Sequence, residues 1–253
     1  MNAAYDLTAL SAQEFWIVTG IVIAAGMVRG FSGFALSALV MATAVTILPP
    51  VELLPMLWWL EMSASLMMLK GGWAEADRGT AFGLVFGSAL GWPLGLWLTT
   101  SIDVATSKVV ALVVILILAA SQLAKVRLPF LATRAGLYST GIVAGIVSGL
   151  AHVGGMVVAF YVLASDAPAK QMRGSLVLFL FLGALVSFFI QLAFGVMDWS
   201  GVSRGLVFAV PTMIGVFLGQ LLFTERFAPY YRPFCLSLLV GLAGLGLVRT
   251  QLA

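Results

Sequence analysis

The sequence predicts an all-α polytopic membrane protein made of two inverted repeats, each a broken-helix hairpin followed by three transmembrane helices. Three observations predict it. Of the 253 residues, 62% are hydrophobic and 9% charged, and the mean hydropathy is +1.10, a composition foreign to water-soluble globules. The apolar stretches run unbroken for roughly 20 residues without alternation, the length and pattern of spanning helices rather than of barrel strands. Two glycine-rich interruptions, RGFSGF at Arg29–Phe34 and AHVGG at Ala151–Gly155, fall in the first long apolar segment of each half.

Taken in order, residues 1–14 form a short N-terminal segment. Met1–Gln13 carries no Lys or Arg, so it lacks the positive start of a cleaved signal peptide. The first repeat occupies 15–133. Its opening segment, Phe15–Leu48, would extend roughly 50 Å as one helix against a hydrocarbon core of about 30 Å. Gly30 and Gly33 sit near its middle, where glycine permits the backbone to reverse, and a hairpin is expected there. Spans at Val51–Leu69, Gly79–Leu98 and Ala105–Ala124 follow. The second repeat, 134–253, opens with Ala135–Ala164, roughly 45 Å as one helix, with the reversal expected at Gly154–Gly155. Its spans are Gly174–Phe194, Val202–Phe223 and Pro233–Val248.

Smaller features have local readings. Gly83, Gly87, Gly91 and Gly95, and likewise Gly141, Gly145 and Gly149, recur at spacing four and let helices approach closely. Trp92, Pro93 and Pro211 occupy comparable places in the two halves, where a kink frees a carbonyl or forms a hinge; gating is the role they suggest. Trp58, Trp59, Trp73 and Trp199 read as anchors at the membrane interface.

Charge tests the hairpins independently. The net charge of +3 and pI near 9.2 do not indicate nucleic-acid binding, because the Lys and Arg residues lie almost entirely in short loops and read as topology signals. With two hairpins and an external N-terminus, nine cations (Lys70, Arg78, Lys125, Arg127, Arg134, Lys170, Arg173, Arg226 and Arg232) fall on the cytoplasmic side, and Lys108, Arg204 and Arg249 outside. Single crossings would give seven against five. Both termini are then expected on the periplasmic face. The halves also align: Gly26 and Gly30 match Gly145 and Gly149, and Gly91, Gly95, Thr100 and Lys108 match Gly215, Gly219, Thr224 and Arg232. A hairpin plus three spans crosses an odd number of times, so the second copy starts from the opposite face. Inverted repeats permit alternating access.

Chemistry must come from what is polar at membrane depth: Arg29, Ser32, Glu61, His152, Gln191 and Gln220. A guanidinium in hydrocarbon needs a carboxylate, carbonyls or an anionic ligand beside it. Glu61 is a candidate for proton coupling or for an ion pair with Arg29; His152 is a core imidazole, a ligand contact or a proton carrier. Half-helices beginning near Ser32 and near Gly154 would aim free N–H groups and positive dipole ends at the midplane, a place that favours a small anion. The candidate substrate-binding set is Arg29, Gly30, Phe31, Ser32, Gly33 and Phe34 at the first break with His152, Val153, Gly154 and Gly155 at the second. Phe31 and Phe34 would line or seal it. No cofactor is expected, and no metal: one His, a lone Cys235 and one intramembrane Glu are too few ligands for a selective site.

GMVRGFSGFALSALV at Gly26–Val40, then GIVSGLAHVGGMVVAFYVLA at Gly145–Ala164 and a GxxxG span in each half, resemble the TauE/SafE family of sulfite and organosulfur-anion exporters over nearly the whole chain. The resemblance implies a bacterial inner-membrane, multi-pass transporter that exports sulfite, sulfoacetate or a related sulfonate, with a homodimer as the family-level assembly and the lipid bilayer as surroundings. Two other readings compete. The same site without alternating closure would be a passive anion channel or facilitator. Gly30-Phe31-Ser32-Gly33 also matches the GxSG of rhomboid intramembrane proteases, with Ser32 as nucleophile and His152 as base; the equivalent placement of both motifs in a repeat weighs against it.

Overall fold

Both over-long apolar segments are broken in the computed structural model, which describes residues 7–126, 128–164, 168–222 and 228–252. The helices are α1 (Ala12–Ser32), α2 (Leu36–Ala44), α3 (Pro50–Glu75), α4 (Arg78–Ser101), α5 (Val104–Leu123), a 3₁₀ turn (Pro129–Ala132), α6 (Arg134–Ala151), α7 (Gly154–Ala164), α8 (Ala169–Ala193), α9 (Trp199–Leu222) and α10 (Ala228–Leu252). No strand occurs among the described residues. Arg127, Phe223, Thr224 and Arg226 lie outside them, as does the side chain of Arg232.

Among the described residues, six helices are long and apolar enough to cross a bilayer: α1, α4, α5, α9, most of α8 from Lys170, and Pro233–Thr250 within α10. The protein is a multi-pass membrane protein. The 26-residue α3 is not among the six; it carries Glu52, Glu61, Lys70 and Glu75, and much of it is buried by other helices. The two arms that follow the breaks are short. At 1.5 Å per residue, the nine residues of α2 rise roughly 13 Å and the eleven of α7 roughly 16 Å, about half a hydrocarbon core. Each hairpin therefore pairs a long helix with a half-length one.

The reversals do not fall quite where glycine alone suggests. At the first break Gly33 takes the left-handed conformation (φ 80°), and so does the next-but-one residue, Ala35 (φ 75°). Gly30 stays inside α1. At the second break the left-handed residue is His152 (φ 57°), and Gly154 and Gly155 open α7 instead. The reason at Gly154 is space: a methyl group there would collide with Ser148 Oγ and the Ala144 carbonyl.

The glycine stripes place two helix pairs in close contact. Gly83, Gly87, Gly91 and Gly95 on α4 face Leu137, Tyr138, Gly141, Ile142 and Ile146 on α6, and a methyl on Gly87 would lie 3.0 Å from the Gly141 Cα. Gly26 and Gly30 on α1 meet Gly215 and Gly219 on α9 in the same way. Small residues let the backbones approach until van der Waals contact holds the pair, as membrane helices require. The two contacts correspond under the alignment of the halves. On α4 the opposite face, Phe82, Phe86, Leu90, Leu94 and Trp97, is exposed, an apolar stripe suited to lipid.

Helix ends carry ordinary caps. Ser11 and Glu14 form a capping box, and Asp77, Asp103 and Thr133 accept from the N–H groups of Thr80, Thr106 and Gly136. The hydrogen bonds from Thr106 hold the Asp103 carboxyl below its ordinary range. Arg204 at the start of α9 bridges to Glu52 at the start of α3 (2.6 Å) and donates to the Thr8 carbonyl (2.8 Å). Ser175 on α8 accepts from the Asp77 N–H at the far end of α3 (2.9 Å). Two of the four tryptophans differ from the interfacial reading. Trp73 and Trp199 are exposed, Trp73 beneath the Arg78 guanidinium at 5.0 Å. Trp58 is buried against Phe188 and donates to the Ala184 carbonyl (2.7 Å), and Trp59 packs its indole on Gly205. They tie α3 to α8 and α9, because α3 is enclosed by helices where an interfacial helix would meet lipid headgroups.

Candidate anion site at the two helix breaks

The first break is closed by its own side chains. Ser32 Oγ lies 2.7 Å from the Val28 carbonyl and 2.8 Å from that of Phe34, and accepts from the Phe34 N–H at 3.3 Å. The hydroxyl thus fastens the turn between α1 and α2, and these bonds, not His152, engage it. Arg29 is fully buried. It donates to the Gly33 carbonyl and to Ser65 Oγ (3.1 Å), and its Nε lies 3.4 Å from Glu61 Oε2. Glu61, 4% exposed, accepts through Oε1 from both the N–H (3.3 Å) and the hydroxyl (2.7 Å) of Ser37 in the first turn of α2. A carboxylate therefore sits at the positive end of this half-helix, and a guanidinium balances it. Phe34 is buried at the break and Phe31 half-buried beside it.

The second break is built on the same plan with different side chains. The His152 N–H donates to the Ser148 carbonyl (2.8 Å), ending α6, and the Trp92 ring meets the imidazole edge-on with centroids 5.6 Å apart. Thr99 on α4 donates to the Gly149 carbonyl (3.0 Å), and Gln122 on α5 to that of Met156 (3.0 Å). Buried Val153 joins the hydrophobic core. Here polar atoms are left over: His152 Nδ1 and Ser88 Oγ are buried without a hydrogen-bond partner, as are both amide atoms of Gln191 further along α8.

The two tips meet. Ala35, Ser37 and Ala38 of the first and His152, Val153 and Gly155 of the second line one small cavity with Glu61. A second cavity of about 30 Å³ adjoins it, walled by Glu61, Ser88, Ser148, His152, Gly154 and Ser187 among others. At the far end of α3 a larger cavity of about 260 Å³ is lined by Met67, Gly71, Glu75, Arg173 and Gln220. Arg173 reaches from it to the first break, donating to the Gly30 carbonyl (2.8 Å). Of the candidate gating residues, Trp92 is buried at the second break, while Pro93 and Pro211 lie inside α4 and α9, which continue through them. Gln220 borders the larger cavity and Gln191 is fully buried.

Sequence reasoning did not single out Ser37, Ser65, Ser88, Ser187 or Arg173. Ser88 had a usable signal, as the polar residue inside the Gly83–Gly95 stripe; Arg173 reads as a loop cation until the fold brings it under Gly30.

Helices broken in pairs, with their tips joined around buried polar groups, define a membrane transport protein of the discontinuous-helix kind. The chain belongs to the sulfite exporter TauE/SafE family, whose model matches residues 18–246. No curated protein and no solved structure matches it.

Proposed function

We propose that the protein is a secondary transporter that exports sulfite, sulfoacetate or a related small sulfonate across the bacterial inner membrane by alternating access, with the anion bound where the two breaks meet. One observation carries the reading: the N-terminal ends of α2 and α7 open on a common cavity with Glu61 and His152. Helix N-terminal ends present N–H groups and positive dipole charge that favour an oxyanion; at α2 the Glu61 carboxylate already meets them through Ser37, and at α7 the place is left for a substrate anion. The sulfur anion itself comes from family membership. Arg29–Phe34 and His152–Gly155 frame the site, and Glu61 and His152 are the groups through which a proton would be coupled. The halves 15–133 and 134–253 act as inverted repeats, with the Arg204 and Arg249 ends outside, as the distribution of cations supports. Trp92, Pro93 and Pro211 serve as the gating elements.

Uptake of radiolabelled sulfite into proteoliposomes tests it. The purified protein is expected to raise uptake above protein-free vesicles, with unlabelled sulfite or sulfoacetate competing and chloride not. Uptake equal to that of empty vesicles would refute the reading.

A further inference from the structure

The two breaks are equivalent in backbone but not in side chains. In the register that pairs Gly26 with Gly145 and Gly30 with Gly149, left-handed Gly33 falls on left-handed His152, and Arg29 falls on Ser148. Continued without gaps, the register pairs Glu61 with Leu180. The ion pair that fills the first break therefore has no counterpart at the second. Where Glu61 caps α2 through Ser37, the Leu180 side chain lies over Gly155 at the start of α7.

We propose that substrate seats at the second break, on the first-turn amides of α7 with Ser88, Ser148 and His152, while the Glu61 carboxylate is a resident anion that occupies the equivalent place on α2. Glu61 and Arg29 cancel each other's charge, so the first tip has no unmet attraction for a free anion. No carboxylate is hydrogen-bonded to the first turn of α7 as Glu61 is to Ser37. Glu61 also walls the α7 cavity, but its charge is paired with Arg29, and two unsatisfied polar atoms, Ser88 Oγ and His152 Nδ1, line the same cavity. Ser88 is 2% exposed, its Oγ has no partner, and it lines the same cavity as Gly154, Gly155 and His152. A buried hydroxyl without a partner is costly; an oxyanion acceptor would satisfy it. His152 Nδ1 is a second donor whenever it carries a proton. The Met156 N–H donates to the Val153 carbonyl (2.9 Å), so the amides left for an anion are those of Gly154 and Gly155, and at Gly155 only the Leu180 side chain covers the approach. The cavity, about 30 Å³, has room for one or two waters and is narrower than a sulfur oxyanion. Seating the anion thus requires α8 to draw back from α7, taking Leu180 and Phe179 with it.

This inference rests on the transport reading above, and one binding experiment separates the two. Thermal unfolding of purified full-length protein is followed against increasing sulfite, for wild type, Ser88→Ala, Ser148→Ala and Thr212→Ala. Because Ser88 Oγ has no hydrogen-bond partner among the described residues, Ser88→Ala is expected to unfold no lower than wild type without sulfite, yet to bind sulfite about tenfold more weakly, the loss of one charge-assisted hydrogen bond. Ser148→Ala shifts affinity in the same direction. Thr212→Ala on α9, away from both cavities, loses its bond to the Phe208 carbonyl and is expected to unfold lower but bind sulfite as wild type does. Unchanged affinity in both Ser88→Ala and Ser148→Ala, or a loss in Thr212→Ala alone, would overturn the seat and leave the transport reading standing. Failure of sulfite, sulfoacetate and sulfate alike to stabilise wild type would overturn both.

Discussion

Arg29→Ala is expected to destabilise the protein by about 3–5 kcal/mol, the cost of leaving a buried carboxylate without its counter-charge. The size follows from position. Both side chains are inside the fold, Arg29 fully and Glu61 to 96% by its 4% exposure, so water cannot replace the lost partner. The guanidinium also donates to the Gly33 carbonyl and to Ser65, so its removal loosens the turn that starts α2. The matched change Arg29→Met with Glu61→Gln is expected to recover most of the loss, because the Gln carbonyl still accepts from Ser37 and no charge is left unpaired. Thermal unfolding in detergent checks both. If Arg29→Ala unfolds at the wild-type temperature, the guanidinium is not a structural partner of Glu61.

The second large effect concerns the α4–α6 seam. In Gly91→Ala the added methyl meets the Ile142 carbonyl, with Ile146 N at 2.9 Å. These are backbone atoms of another helix, so relief requires the helices to separate along a seam that also includes Gly87, Gly95, Gly145 and Gly149. Overpacking of this kind costs about 1–3 kcal/mol, and its position in a shared backbone contact places it at the upper end. Gly241→Ala in α10 is the control: nothing among the described residues lies within 4 Å of its would-be methyl, and helix propensity favours alanine by up to about 1 kcal/mol. Opposite shifts in unfolding temperature are expected. Equal shifts would show that glycine at 91 is not set by contact.

Much of this was legible from elementary constraints. An apolar stretch too long for the bilayer must break, and glycine marks the neighbourhood. The exact turn residue was not legible, because a left-handed residue need not be glycine: His152 takes that conformation while Gly154 is required by the nearness of Ser148. Gly30 reads as a hinge in isolation but is a contact surface for α9. Trp58 and Trp59 illustrate the same limit, since only the enclosure of α3 decides whether a tryptophan near a span end meets lipid or protein. The polar inventory found Arg29, Glu61 and His152 because charge in hydrocarbon is conspicuous. It passed over Ser88, whose hydroxyl becomes notable only when α4 is packed against α6 and α8 and none of them offers it a partner.

Counterflow measures the central claim most directly. Proteoliposomes loaded with excess unlabelled sulfite are diluted into a trace of radiolabelled sulfite, and internal label is followed with time. A transporter that closes over its anion exchanges bound substrate, so label is expected to accumulate transiently above its equilibrium level before decaying. A monotonic approach to equilibrium would identify a passive channel and contradict alternating access at the joined helix tips.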